Sequence, residues 1–588
     1  MKKRFSLFAL FLLVLSHSYA QDFQIYPDSL PGFQTGGTSW GDFDNDGYLD
    51  LVINGTLENS GSATKLFRNN HGVLEEVLAN LPNLYGGSVA WGDYDNDNDI
   101  DLLLCGTDYY GNGATYLYCN DGGAFHTVPI PFTGVSVGEA AWIDYNNDGF
   151  LDVLVTGDSS YYAPVSRLYK NNGDGSFTYI PSALFPSMYS FFAIGDYDND
   201  GDQDILLAGY GESSFVTRLY RNDSGTYVDS DIAFDSVAFA DGEFVDYDKD
   251  GDMDLIFIGS NNQTQYVFKI YRNEGNGVFT DIPNSCTGEW GGEIAVADFN
   301  NDGYPDLGVT GSLCCGNALT RLYKNNGNGT FDTIPINFPP MSSSQISFGD
   351  FDNDGDADFV LTGYPNGSYF SAFTFIYQNL SQNGGLTANT PPSSPTSLAS
   401  QVNDHHVSFN WQHSVDNTTA SAGLTYNLRV GRSASSMEVM APYSDPVDGF
   451  LKVYSSGNVC QDTSWSLHDL PDGRYYWSVQ AIDQGHAASA FSPECFFDVG
   501  SAATEELIPS TEQIQIVPNP FSGGTVVLVD KEWRDALYRL FGMDGNLLLT
   551  GKLEGTSTLL NLSSLSTGIY ILIVENNGQM IRKNIIKD

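Results

Sequence analysis

The sequence has 588 residues, 25 Lys+Arg against 73 Asp+Glu, and a formal charge of −48. That length exceeds one compact core and predicts several domains, while an apolar content of 41% excludes a wholly disordered acidic chain. The charge excludes a nucleic-acid binder that works by phosphate neutralisation and disfavours docking on anionic membranes.

The chain opens with Lys2, Lys3 and Arg4, then an apolar run from Phe5 to Leu15, then Ser18-Tyr19-Ala20. This order predicts a signal peptide over 1–20, cleaved after Ala20. The run is too short to span a bilayer comfortably, and no later stretch reaches the 18 apolar residues of a membrane helix. Export into calcium-containing water follows. Seven cysteines (Cys105, Cys119, Cys286, Cys314, Cys315, Cys460 and Cys495) suit an oxidising compartment without a dense disulfide framework.

From residue 42 onward one phrase recurs seven times at intervals of 50 to 52 residues: acids at positions one, three, five and nine, usually with Gly at six. The candidate ligands are Asp42, Asp44, Asp46 and Asp50; Asp93, Asp95, Asp97 and Asp101; Asp144, Asn146, Asp148 and Asp152; and Asp196, Asp198, Asp200 and Asp204. They continue with Asp246, Asp248, Asp250 and Asp254; Asp298, Asn300, Asp302 and Asp306; and Asp350, Asp352, Asp354 and Asp358. Thirteen residues after each start stands a glycine, and further on an aromatic phrase such as Arg167-Leu-Tyr169-Lys-Asn171. Each unit reads as four short strands, which is one propeller blade. The seventh unit, running into Ser381 to Gly385, lacks its last strand. Phe23-Gln-Ile-Tyr26 resembles the missing phrase and is predicted to close the ring beside Phe375 to Gln378.

Calcium takes six to eight hard oxygen ligands in a flexible cage, and alternate residues of a tight loop can turn carboxylates inward. Gly at position six permits positive φ, and Asn98 is the next most tolerant residue there. The loops predict up to seven calcium ions, mainly structural, with weaker sites where Asn146 and Asn300 replace Asp. These residues resemble the FG-GAP repeat, also called the VCBS-type repeat, of integrin α-chain propellers. The resemblance covers about 22–385 and implies a seven-bladed propeller, with roles mostly in adhesion or recognition.

On the face opposite the Asp loops the sequence collects Tyr109, Tyr110, Tyr161, Tyr162, Tyr210, Trp290, Tyr364, Tyr369 and Phe370. Such aromatics suit stacking on sugar rings or gripping a peptide, or else pack neighbouring loops. A disulfide from Cys286 to Cys314 or Cys315, or between the latter two, is expected on that face. Ten of the eleven Lys and Arg over 21–390 belong to the third-strand phrase and the other, Lys249, sits in an Asp loop, so a polyanionic ligand is not expected. Propeller-built polysaccharide lyases make an enzyme the alternative. However, His71 and His126 fall near surface hairpins, Gly37-Thr-Ser39-Trp-Gly41 leads into no helix, and adjacent His405 and His406 on a strand point apart. No catalytic constellation emerges.

After a stiff boundary at Thr390 to Pro395, alternating strands over about 392–500 resemble a fibronectin type III domain, a spacer or binding module with Trp411, Tyr426 and Tyr476 as core. Cys460 and Cys495 are candidates to pair. Residues 501–512 read as a linker. The tail over 513–588 reads by period as a small β-sandwich. Pro518-Asn519-Pro520, Gly545, Gly568, Tyr570, Arg582, Lys583 and Lys587 make it resemble the type A C-terminal sorting domain of the type IX secretion system of Bacteroidetes. That resemblance implies export across the outer membrane, contact with the secretion machinery and removal of the tail. The expectation is therefore an all-β chain: a seven-bladed β-propeller over 21–388 followed by two small β-sandwich domains. It would be a secreted or cell-surface monomer that binds a glycan or extracellular protein, with no nucleic-acid partner and no transmembrane segment.

Overall fold

A computed structural model describes residues 23–500, apart from 28–29, 58–60, 262–264, 276, 314–316, 366–370 and 381–388. It also describes 514–587 apart from 518–523, 530, 543–545, 554, 564 and 577–578. The signal segment, Tyr369, Phe370, Cys314, Cys315, the Ser381–Gly385 stretch, the Pro518–Pro520 motif and Gly545 lie outside the described residues. Among the described residues every regular element is a strand except the single 3-10 turn Lys531–Trp533, and no helix is long and apolar enough to cross a membrane. The chain divides into two units, 1–500 and 501–588.

Seven antiparallel sheets are built from the seven repeats. In the third repeat the strands are Ser136–Ile143, Asp152–Asp158, Pro164–Asn171 and Phe177–Ile180, in that order from inside out. The second strand is buried along almost its whole length, as in Asp204–Tyr210 and Asp306–Ser312, because sheets cover both of its faces. Its sequence is therefore a nearly unbroken apolar run. The outermost strand is mostly open to solvent instead, with Phe177 buried and Thr178 and Tyr179 exposed.

The recurring glycine of the second strand has a steric cause. The inner strand bulges between Ser136 and Glu139, and Val137 takes a left-handed φ of 46°. A Cβ on Gly157 would lie 2.9 Å from the Ser136 carbonyl oxygen and 3.0 Å from the Gly138 Cα. The same inner-strand bulge recurs before Phe191, Asp241, Glu293 and Gln345.

Neighbouring inner strands meet in succession, and Met341–Gly349 of the seventh sheet meets Thr38–Gly41 of the first. Phe23–Ile25 supplies the fourth strand of the seventh sheet, with Phe23 opposite Asn379 and Ile25 opposite Tyr377. The Phe23 ring packs edge-on against Phe299, Phe338 and Phe359.

Residues 396–499 form two three-stranded sheets: Thr396–Asn403, His406–Gln412 and Ser464–Leu467, then Thr425–Gly431, Gly473–Ile482 and Cys495–Val499. Trp411 and Tyr426 are core as expected, but Tyr476 is not: Tyr475 and Trp477 point inward, and Tyr476 packs on Phe496 outside. In a strand of period two, a one-residue error in phase inverts the face. Cys460 and Cys495 are unpaired thiols, and Cys286 is also free, so neither expected bridge involving them forms.

Nor is this sandwich a detached spacer. It sits on the ends of the blades that carry the Asp loops. Asp93 N donates to Lys452 O (3.0 Å), His468 N to Asn199 O (2.8 Å) and Lys452 Nζ to Gly149 O (2.8 Å). Between ring and sandwich lies a cavity of about 470 Å³, walled by Glu139, Glu243 and Glu293 of the inner strands and by Tyr443, Tyr454 and His486 of the sandwich.

The second unit pairs a three-stranded sheet (Ile514–Val517, Gly524–Val529, Ser557–Asn561) with a four-stranded one (Leu547–Lys552, Leu537–Gly542, Gly568–Asn576, Gln579–Lys587) around Trp533, Leu540, Leu560 and Leu572. Lys587 Nζ is held by the carbonyl oxygens of Leu562, Ser563 and Leu565.

Candidate metal centres

Each Asp loop is a turn organised by its own first residue. The position-one carboxylate accepts from the amides of positions five and six in all seven loops, at 2.7 to 3.1 Å; Asp42 takes Asp46 N and Gly47 N. Position six has φ between 70° at Asn98 and 95° at Gly201, which explains its residue types. Position nine is fully buried in every loop. Its Oδ1 accepts from the amide of the asparagine that ends strand three, at 2.6 to 2.8 Å, from Asn69 to Asp50 through Asn379 to Asp358.

Five loops converge three carboxylate oxygens within 4.8 Å of one another. They are Asp42, Asp44 and Asp50; Asp93, Asp95 and Asp101; Asp196, Asp198 and Asp204; Asp350, Asp352 and Asp358; and, with position five in place of nine, Asp246, Asp248 and Asp250. In four of these loops the position-three oxygen is buried with no hydrogen-bond donor: Asp44, Asp198, Asp248 and Asp352 Oδ1. Orphaned anionic oxygens facing other carboxylates fit a hard divalent cation.

Position five is turned differently. Asp46, Asp97, Asp200, Asp250 and, less simply, Asp354 each accept the amide two residues on, so one oxygen shapes the turn.

The two loops with Asn at position three settle their charge internally. Lys170 Nζ lies 2.7 Å from Asp148 Oδ2, and Asn146 donates to the same atom. Lys324 Nζ lies 2.7 Å from Asp302 Oδ2 and 3.2 Å from Asn300 Oδ1, while Asn300 donates to Asp306 Oδ2. Asp144, Asp152 and Asp298 therefore stand in clusters where an ammonium already lies beside the acids.

Burial is the first cause of a general upward shift in these carboxyls, offset by backbone amides and reinforced by neighbouring acids. Asp42 and Asp93 rise to about 6, Asp144 and Asp298 to about 7, and Asp50, Asp101, Asp152 and Asp254 to about 9. Asp196, Asp204, Asp306, Asp350 and Asp358 are also raised well above the ordinary carboxylate value, again chiefly by burial. With no cation, these clusters favour protons.

Two sets of residues given no role from sequence tie loops together. The asparagine that ends strand three donates from Nδ2 to the position-two carbonyl of the preceding blade, seven times, at 2.7 to 2.8 Å. Its recurrence after the Leu-Tyr phrase was the available signal. The position-four residue, always left-handed, donates to the position-six carbonyl of the next loop, as Asn147 does to Gly201 and Asn353 to Gly47. Lys249 fills this role in loop five, reaching Gly303 O, and at the junction of loops two and three the acceptor is taken by Lys452 of the sandwich.

Of the aromatics on the opposite face, Tyr109, Tyr110, Tyr161 and Tyr162 are between 74% and 99% exposed, whereas Trp290 stacks on Tyr266 and Tyr210 packs on Phe215. His71 and His126 are surface residues, and His406 faces His468 rather than His405.

A family model described as FG-GAP-like repeat matches residues 42–104, 93–155, 144–207, 196–257, 246–309 and 313–361, more than half of the chain. The chain belongs to the FG-GAP-like repeat family. A second model, the secretion system C-terminal sorting domain, matches 515–588, so this FG-GAP-like protein carries the tail of type IX export and is delivered outside the cell or to its outer-membrane surface. No curated protein matches it. Among solved structures it is similar to the BP39L lectin from Burkholderia pseudomallei (12% identity, 60% of this chain and 98% of that one, TM-score 0.44). It is also similar to PorZ, a surface component of the type-IX secretion system of Porphyromonas gingivalis (10% identity, 97% and 100%, TM-score 0.17). Neither score supports a functional argument.

Proposed function

We propose that this exported FG-GAP-like chain is a calcium-stabilised binding module that recognises a glycan or an extracellular protein. Calcium is the reading for the five convergent loops, held by the three carboxylates of each. Its chemistry there is neutralisation of buried charge, which stabilises the folded state by mass action.

The observation that carries the recognition reading is the pairing of exposed tyrosines on hairpins of blades two and three. Tyr109 with Tyr110 and Tyr161 with Tyr162 stand on the face away from the Asp loops, which the sandwich covers. Amphipathic rings beside Asp108 and Asp158, with no Lys or Arg in the strand two–three loops, favour a neutral sugar or a peptide over a polyanion.

The test is a glycan and matrix-protein array probed with the full chain in calcium and in chelator. Retention without turnover supports recognition. An unsaturated sugar product transfers the assignment to a polysaccharide-active enzyme, and silence on every spot overturns both.

A further inference from the structure

The acid cluster of blade five is reached by a carboxylate from outside the ring. Asp462, on the sandwich turn at 457–462, is 6% exposed and stands in side-chain contact with Asp246, itself 1% exposed. Asp462 Oδ2 has no hydrogen-bond donor, and neither has Oδ1 of Asp248, the convergent partner of Asp246 in the loop. Lys249 answers the contact only in part. Its Nζ pairs loosely with Asp462 Oδ1 at 3.8 Å and directs its hydrogen bonds to Gly303 O at 3.0 Å and Gln461 O at 3.3 Å, so Asp462 Oδ2 is left without a donor. Two buried carboxylates hold such a contact only when a proton or a cation lies between them. Oxygens sharing one calcium at roughly 2.4 Å lie about 3 Å apart, the spacing of touching oxygens. This is also the loop whose convergent triad uses Asp250 in place of position nine.

We propose that Asp462 is a ligand of the blade-five metal site, so that one divalent ion bridges the ring and the sandwich. The inference rests on the calcium reading of the loops. It makes the metal a clamp between domains as well as a brace within one, and gives Asp462 a task that no residue of the repeats performs.

The experiment is a calorimetric calcium titration of the full chain, of Asp462→Asn and of Lys249→Met, with amide exchange over 457–462 measured in calcium and in chelator. Asp462→Asn is expected to bind the same number of ions with one weakened about tenfold or more, the scale of a lost supporting ligand. Calcium should no longer slow exchange over 457–462 in that variant. Lys249→Met removes a competing cation and is expected to tighten one ion; it reports on the same site if Asp462→Asn folds poorly. Superimposable titrations of all three proteins overturn the proposal. So does an Asp462→Asn that gains heat stability in chelator at neutral pH and is unchanged in calcium, the signature of a shared proton. If the parent chain binds no calcium at all, the reading of every loop falls, a different failure from loss of the bridge alone.

Discussion

Asn69 donates from its side-chain amide to the carbonyl oxygen of Phe351 at 2.8 Å, across 282 positions of sequence, and so ties the first blade to the seventh. The same side chain donates to Leu49 O and accepts from Gly72 N, and the residue is fully buried.

Replacing Asn69 by Ala strands two carbonyls and one amide away from water, at about 1–3 kcal/mol for each group left unsatisfied. The expected result is a loss of about 3 kcal/mol or more in chemical unfolding, measured in calcium. Its exposed neighbour serves as reference: Asn70→Ala should change stability by no more than about 0.5 kcal/mol.

Metal stoichiometry should separate the loops. Equilibrium dialysis is expected to find five tightly held calcium ions, matching the five convergent carboxylate clusters. Converting loop three with Asn146→Asp and Lys170→Met, which restores a carboxylate and removes the ammonium now 2.7 Å from Asp148, should add a sixth. Seven tight ions in the parent chain would refute this division.

The pH response follows from the raised carboxyls. Asp50, Asp101, Asp152 and Asp254 ionise near pH 9 when folded, against 3.8 when unconstrained, chiefly because they are buried. A raised folded value favours the protonated form, so their contribution to stability is complete below about pH 4 and is lost as the pH climbs through 9. In chelator the melting temperature should fall steadily between pH 5 and pH 9. In calcium the ion takes the place of the proton, and the curve should be nearly flat over that interval. Parallel curves with and without metal would count against the clusters as cation sites.

Phe23 is the anchor of the strand that completes blade seven. Phe23→Ala removes a ring packed on Phe299, Phe338 and Phe359 and should cost about 3 kcal/mol. Loosening that strand uncovers the edge of Phe373–Asn379, so aggregation during light-scattering melts should begin earlier than in the parent chain.

The tyrosine quartet offers the opposite pattern. Tyr109, Tyr110, Tyr161 and Tyr162 are exposed, so replacing all four by Ala should leave the melting temperature within a degree or two while abolishing retention on the array spot that binds the parent. Retained binding would move the recognition site elsewhere.

What the sequence disclosed is what repetition encodes. Strand order, the glycine of strand two, positive φ at position six and the closing role of Phe23 each follow from a local pattern that recurs or is conspicuously displaced. The asparagine of strand three was visible as a recurrence, but its partner lies in another blade, and a donor in sequence does not name its acceptor. Docking of the sandwich was illegible because its contacts come from single residues on irregular turns, Lys452, Asp462 and His468, which have neither period nor repeat. The inversion of Tyr476 shows the limit of alternation: three aromatics in succession leave the phase of a strand open until the opposing sheet fixes it.

Because Phe33 N meets Thr374 Oγ1 across 341 positions, and Phe23–Ile25 waits for Phe373–Asn379, the seam of the ring joins segments made far apart in time. The entropy of bringing such distant segments together grows only logarithmically with the intervening length, so the delay arises from chain order more than from energy. Six blades can mature while the leading segment still lacks its mate. Completion of the seventh sheet therefore waits on the last-made blade, and a chain ending before Phe373 would leave Phe23–Ile25 with no edge to join.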